Sequence, residues 1–435
     1  MGKKPLCLLI VCIALRVSAA DLWASSRASI EQLERIVSAS QTRSDAEAAK
    51  QLLALELTER LGMARLQQLK AALPGEKSRQ ALIALADMSA FLPPPGYEIP
   101  ATAAPDQASQ RRMLALTVKY LAKALPVLPN LFASRDTIRF ESRPNPVPDD
   151  NESPLRTAGQ SAVTVFYRNG QEFLDAPPAK NAKHRTPDRG LATWGEFGPI
   201  LSTVFIDAAQ NRLEWSHWEL SGAAPQAVFR YSIPQAKSHY DIRFCCITES
   251  YGMETNLLTE RTGYHGEITV DPDSGTILRL TVTADLDPGN PIARASLLVE
   301  YAPVELGGKP YICPVRGIAV ALAPDPKTVD NTLALRQTAT SSNTRPTVAK
   351  TSLTTLAHAP QQVLLNDVTF RDYHLFRADL RMVTGKEEQQ VAAASQVATT
   401  PSPQPSTAET SKPTEEAAAE PPPPPAQPAS EAVAP

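Results

Sequence analysis

The chain has 435 residues, with 43 Lys and Arg against 46 Asp and Glu and a formal net charge of −3. That near-neutral balance, with no basic stripe carrying interleaved aromatics, excludes an electrostatic footprint for nucleic acid. The length provides for two folded units, but many of the 40 prolines lie in segments that cannot join a core.

The N-terminus, "MGKKPLCLLIVCIALRVSAA", opens on Lys3 and Lys4, continues with an apolar run from Pro5 to Leu15, and ends on Ser18, Ala19 and Ala20. This layout predicts a cleaved secretory signal over residues 1–20, with cleavage near Ala19 or Ala20. A lipoprotein signal would need a small residue before Cys12, where Val11 stands. No later apolar run is long enough to span a bilayer, so no transmembrane span is expected after cleavage. The protein is therefore expected to be exported, either periplasmic or secreted. Cys7 and Cys12 would leave with the signal, and Cys245, Cys246 and Cys313 would remain where disulfides persist.

Residues 21–130 read as a helical region. Ser44 or Asp45 is placed to cap a helix carrying Leu52, Leu55, Leu66, Leu69 and Leu73 at helical spacing. A second helix restarts after Pro74-Gly75 and stops at Pro93, and a third is capped by Asp106 and ends near Pro126. At "LFASRDTIRFES" the period changes to alternation, and residues 131–323 read as an antiparallel sheet domain. Within it Asn169-Gly170 signals a tight hairpin, and "EFGPILSTVFIDAAQ" reads as a short helix opened by Gly198-Pro199. Residues 324–360 form a polar insertion expected to be flexible, 361–385 supply the final strands, and 386–435 read as a disordered Pro-, Ala- and Glu-rich tail. The fold class expected is α+β: helices first, then a curved antiparallel sheet.

Three segments predicted as strands repeat one small pattern: His217-Trp-Glu219, His239-Tyr-Asp241 and His265-Gly-Glu267. Side chains two apart on a strand share a face, so neighbouring strands in register would converge three imidazoles and three carboxylates. Such a set suits a metal site or acid–base chemistry. The solvated face of a half-buried sheet accounts for it better, since Tyr240, Ile242 and Phe244 mark the opposite face of the second strand as the core side. The chain has no G-x-S-x-G elbow, no H-E-x-x-H and no phosphate cradle, and no cofactor is implied. The adjacent cysteines of "SHYDIRFCCITES" point to opposite faces and cannot share a metal, and a disulfide between neighbours would be strained. Alternation places Cys246 with Tyr240, Ile242 and Phe244, and Cys313 in step with Tyr311 and Val315, both toward a core. Cys246–Cys313 is the clip expected. Trp194, Trp215 and Trp218, with Phe197 and Phe205, cluster where they either line a cavity or fill the core.

The phrases "KYLAKALPVLPNLFASRDTIRFE", "GEFGPILSTVF", "YHGEITVDPDSGTILRLTVTADL", "VEYAPVELGGKPYICPVRGIAV" and "NDVTFRDYHLF" resemble a group of uncharacterised secreted proteins common in Acidobacteria. The likeness covers about residues 28 to 384, apart from the polar insertion, and implies no catalytic residues. More remotely, the order of elements is similar to that of periplasmic lipoprotein carriers of the LolA and LolB type, which implies a half-barrel around an apolar cavity. Such a fold leaves function open.

The function expected first is that of a non-enzymatic envelope protein holding an apolar ligand, an acyl chain or a lipoprotein, in the sheet concavity. Its lining would be Phe197, Ile200, Leu201, Phe205, Trp215 and Trp218. A metal-dependent hydrolase using His217, His239 and His265 is the alternative. A third reading is a structural module that docks an envelope protein.

Overall fold

The computed structural model describes residues 26–144, 154–175, 189–193, 195–210, 213–222, 224–245, 257–325, 327 and 359–376. The expected signal segment, most of the polar insertion and the whole tail lie outside these residues, as do Trp194 and Cys246. In chain order, β1 (Ser26–Ala28) leads into α1 (Ile30–Ser40), which Ser29 caps through a reciprocal capping box with Gln32. Ser44, rather than Asp45, caps α2 (Asp45–Leu53). The long leucine helix is then interrupted: β2 (Leu55–Leu57) pairs in parallel with β1. Helical periodicity continues across this break, and pairing with a distant strand overrides it. The helix resumes as α3 (Met63–Ala71).

Asp45 has a different task. Its carboxylate accepts from the backbone N–H groups of Lys77 and Ser78 at 3.0 and 2.8 Å. It thereby caps α4 (Glu76–Met88), whose own N-cap, Gly75, has no side chain to do so. A Cβ at Gly75 would lie 2.4 Å from Cγ of Asp45. α5 (Gln107–Val127) is capped by Asp106, which accepts from Ser109 N–H at 2.7 Å, and is followed by β3 (Leu131–Glu141).

The hairpin of β4 (Arg156–Arg168) and β5 (Gln171–Asp175) turns at Asn169 and Gly170, with φ of 50° and 80°. Positive φ at both central residues is the geometry that Asn-Gly favours. Then come β6 (Gly190–Leu191), α6 (Pro199–Gln210), β7 (Glu214–Ser221), β8 (Ala224–Ile233), β9 (Asp241–Cys245) and β10 (Leu257–Arg261). They are followed by β11 (Gly263–Val270), β12 (Ile277–Asp285), β13 (Arg294–Leu306), β14 (Lys309–Pro324) and β15 (Gln361–Leu375).

Ten strands form one open antiparallel sheet in the order β5-β4-β3-β15-β14-β13-β12-β11-β8-β7. The cysteine-bearing strand departs from the expected meander: β9 pairs with β6 and β10 in a separate three-stranded sheet. Alternation gives the large sheet two faces, and both carry apolar residues that need cover. On one, Leu298, Ile318, Val320, Val363 and Leu365 pack against Ile83 and Ala84 of α4. On the other, Phe229, Ile268, Leu280, Val282 and Leu297 meet Ile200, Leu201 and Val204 of α6, with Ile242 and Phe244 of β9. No helix among the described residues is long and apolar enough to cross a membrane.

Candidate functional site

The face of the sheet that meets α4 is apolar at its centre and charged toward β7. Arg279 of β12 grips Glu219 of β7 with two parallel bonds, Nη1 to Oε1 at 2.9 Å and Nη2 to Oε2 at 2.7 Å. Arg60 approaches the same carboxylate from the N-terminal segment, Nη2 to Oε1 at 2.5 Å. The backbone that carries Arg60 is fixed to the end of α4: Arg60 N–H donates to Pro93 O and Leu61 N–H to Ser89 Oγ. Burial opposes ionisation of Glu219, but the two guanidiniums outweigh it and hold the carboxyl far below the usual range.

Alongside, Arg316 of β14 donates through Nε to Asp367 of β15 at 3.0 Å and through Nη2 to Asp87 of α4. Complete burial pushes the Asp87 carboxyl well up, against the pull of Arg316. The arrangement ties α4 to two central strands through one planar fork, a role suited to Arg rather than Lys.

Between these ion pairs lies a cleft of about 330 Å³. Leu61, Met63, Leu220, Leu278, Leu298 and Ile318 supply its apolar wall, and Arg65, Glu98 and Glu300 stand among its polar residues. Oε2 of Glu300 is buried and has no hydrogen-bond partner among the described residues; its nearest cation, Arg316 Nη1, is 4.0 Å away. Burial also raises the carboxyl of Glu98.

A second, smaller cleft of about 100 Å³ opens on the opposite face, beside α6 and β9. Asp207 of α6 is fully buried beneath it. The carboxylate accepts from the backbone N–H of His239 at 2.9 Å and from the Tyr264 hydroxyl at 2.8 Å, and it meets His239 Nδ1 at 2.5 Å. The imidazole is thus oriented by a buried acid while its side chain stays 60% exposed. The volume of this cleft is less than a third of that of the larger one.

The three histidines of the expected metal site do not meet. Each has its own partner: Ser216 Oγ for His217 at 2.9 Å, Asp207 for His239, and Asp285 for His265 at 2.7 Å. β8 separates the strands of His217 and His265, and their partners on it, Val228 and Ser232, are four residues apart. Strand spacing then puts the two backbones about 17 Å apart. His239 precedes the small sheet on the other face. Among the described residues no group of three His, Cys, Asp or Glu is placed to hold a metal.

Of the six residues expected to line an apolar cavity, five gather in one cluster. Ile200 and Leu201 are buried in it, and Phe205, Trp215 and Trp218 pack on its edge. Only Ile200 reaches either cleft. Phe197 lies elsewhere, between Tyr167 and Phe370. A bulge between Trp215 and His217 sends Trp215 to the side of Trp218 and Phe229, with ring centroids 4.9 and 5.5 Å apart. The expected Cys246–Cys313 clip is not formed. Cys313 faces the core as its phase predicts, but its thiol is free and buried. Cys245 is disulfide-bonded.

The ionic residues of the larger cleft escape the sequence because each looks ordinary alone. The one available signal is phase. Asp87 and Asp207 both fall on the buried stripes of apolar helices, "ALIALADM" and "PILSTVFIDAAQ", where a carboxylate needs a partner. Comparisons with protein-family models, with curated proteins and with solved structures return no match.

Proposed function

We propose that this chain is an exported, non-enzymatic envelope protein that binds a small amphiphilic ligand where its N-terminal segment meets the sheet. The observation that carries this reading is the 330 Å³ cleft, with an apolar wall on one side and charged residues on the other. Ligand sites generally occupy about 300–1,000 Å³ and combine apolar walls with a few fixed polar groups. Export rests on the N-terminal pattern of Lys3, Lys4, an apolar run and small residues. The likeness in element order to the LolA and LolB carriers supports a binding role, with the sheet curved as a half-barrel. The hydrocarbon expected in the sheet concavity is here assigned to the wall formed by Met63, Leu298 and Ile318 instead. The hydrolase alternative is not carried forward, because its imidazoles diverge.

The test is extraction of the purified protein with organic solvent, followed by mass spectrometry of what is released. The expected result is a single-chain amphiphile at a fixed ratio to protein, absent from a Gly62→Phe variant. Gly62 lines the cleft, caps α3 at φ −66°, and has no atom closer than 3.8 Å to an added Cβ. A large side chain there fills the cleft without backbone strain. Release of no amphiphile, together with no rise in melting temperature on adding any, would sink the proposal.

A further inference from the structure

The charges around the larger cleft are unequally partnered, and the unpartnered ones give the sign of what binds. Three buried guanidiniums belong to the cluster: Arg60, Arg279 and Arg316. Glu219, Asp87, Asp367 and Glu300 face them directly, and Glu98 and Glu267 act on them through space. Every cation at the cleft is engaged. Arg60 and Arg279 are held by Glu219, Arg316 by Asp87 and Asp367, and Arg65 by Glu34 at 2.9 Å and Gln68 at 3.0 Å.

The acids are not so matched. Glu300 Oε2 is buried without a donor among the described residues, and Arg60, Arg279 and Arg65 act on Glu98 through space. Both line the cleft. A buried carboxylate oxygen without a donor is costly, and a ligand that brings one recovers that cost on binding. An anion would find no uncommitted guanidinium and two carboxylates against it.

We infer that the cleft selects an amphiphile with a cationic head, an ammonium or guanidinium group, met by the carboxylates of Glu98 and Glu300 while its chain lies on the apolar wall. This assignment rests on the cleft proposed above as the binding site. It goes further in fixing the charge of the ligand and the residues that read it. Glu219 takes no part in contact, because both of its oxygens are occupied by Arg279 and Arg60.

Calorimetric titration of the full-length protein at pH 7 with octylamine, octanol and octanoate separates the possibilities, since the three probes share a chain and differ in charge. Octylamine is expected to bind about tenfold tighter than octanol, the effect of one charge-assisted hydrogen bond, and octanoate more weakly than either. Glu98→Gln and Glu300→Gln are each expected to weaken octylamine by about tenfold and to weaken octanol, which carries no charge, by much less. Near-ultraviolet circular dichroism would verify that each variant is folded. The two variants are independent, so loss of one fold leaves the other as a test. Octanoate binding as tightly as octylamine, or octylamine indifferent to both substitutions, would overturn the cationic assignment and leave the cleft as a binding site. Absence of binding by all three probes would overturn both.

Discussion

Asp207 gathers two donors from His239 and one from Tyr264 around a single buried carboxylate on α6. Asn in its place keeps the shape but loses the charge and turns one acceptor into a donor. Asp207→Asn is expected to cost about 3 kcal/mol, and Tyr264→Phe about 1 kcal/mol, in urea denaturation. Glu172 gives a prediction in pH. Its carboxylate accepts from Phe197 N–H at 2.6 Å and Gly195 N–H at 3.0 Å, yet burial and the nearby Glu196 push its pKa up to about 8 from 4.5. Between those values the folded protein holds a proton that the unfolded chain has released. Stability therefore falls as pH rises through that window. Glu172→Gln should flatten the slope of stability against pH from 5 to 8, and an unchanged slope would refute the assignment. At Cys313, burial pushes the thiol up to about 12, so at pH 8 it is protonated and enclosed. Ellman's reagent should titrate it only after unfolding.

At the level of elements, the turn between β11 and β12 is moulded to α5. Gly275 has φ of 73°, and a Cβ there would lie 2.4 Å from the backbone of Leu116. Gly275→Ala is thus expected to lower stability by at least about 2 kcal/mol, and a melting curve that does not move would contradict the packing. The same turn shows what could be read in advance. "DPDSG" announces itself because Asp271, Ser274 and Gly275 are turn residues, and Asn169-Gly170 and Pro199 likewise mark their elements within a residue or two. These are local signals. The β1–β2 pair and the separate sheet of β9 are not local: they depend on what lies across from them. The candidate cleft was illegible for the same reason. Glu219 and Arg279 are 60 residues apart, and Asp87 and Arg316 are 229 apart. In one dimension the polar face of β12 reads as solvated, because nothing marks that the segment carrying Arg60 will cover it.

Across the whole molecule, the ion pairs of Arg316 and Glu219 join the segment before β3 to strands from both halves of the sheet. Arg316→Met would leave Asp87 and Asp367 buried without their cation, and a loss of about 3–5 kcal/mol is expected in chemical denaturation. Little change would mean that the two acids relax into water. β15 carries a different kind of consequence. It is the last strand among the described residues, yet it lies fourth in the sheet, between β3 and β14. Synthesis therefore delivers two separate ribbons, one of β3 to β5 and one of β7, β8 and β11 to β14, each with a long raw edge of unpaired amides. Neither edge can be satisfied until residues 361–375 arrive. Such edges invite pairing with other chains, and closing them requires contacts far apart in sequence, which slows folding. A chain that stops short of residue 361 would present two sticky margins rather than one unfinished protein.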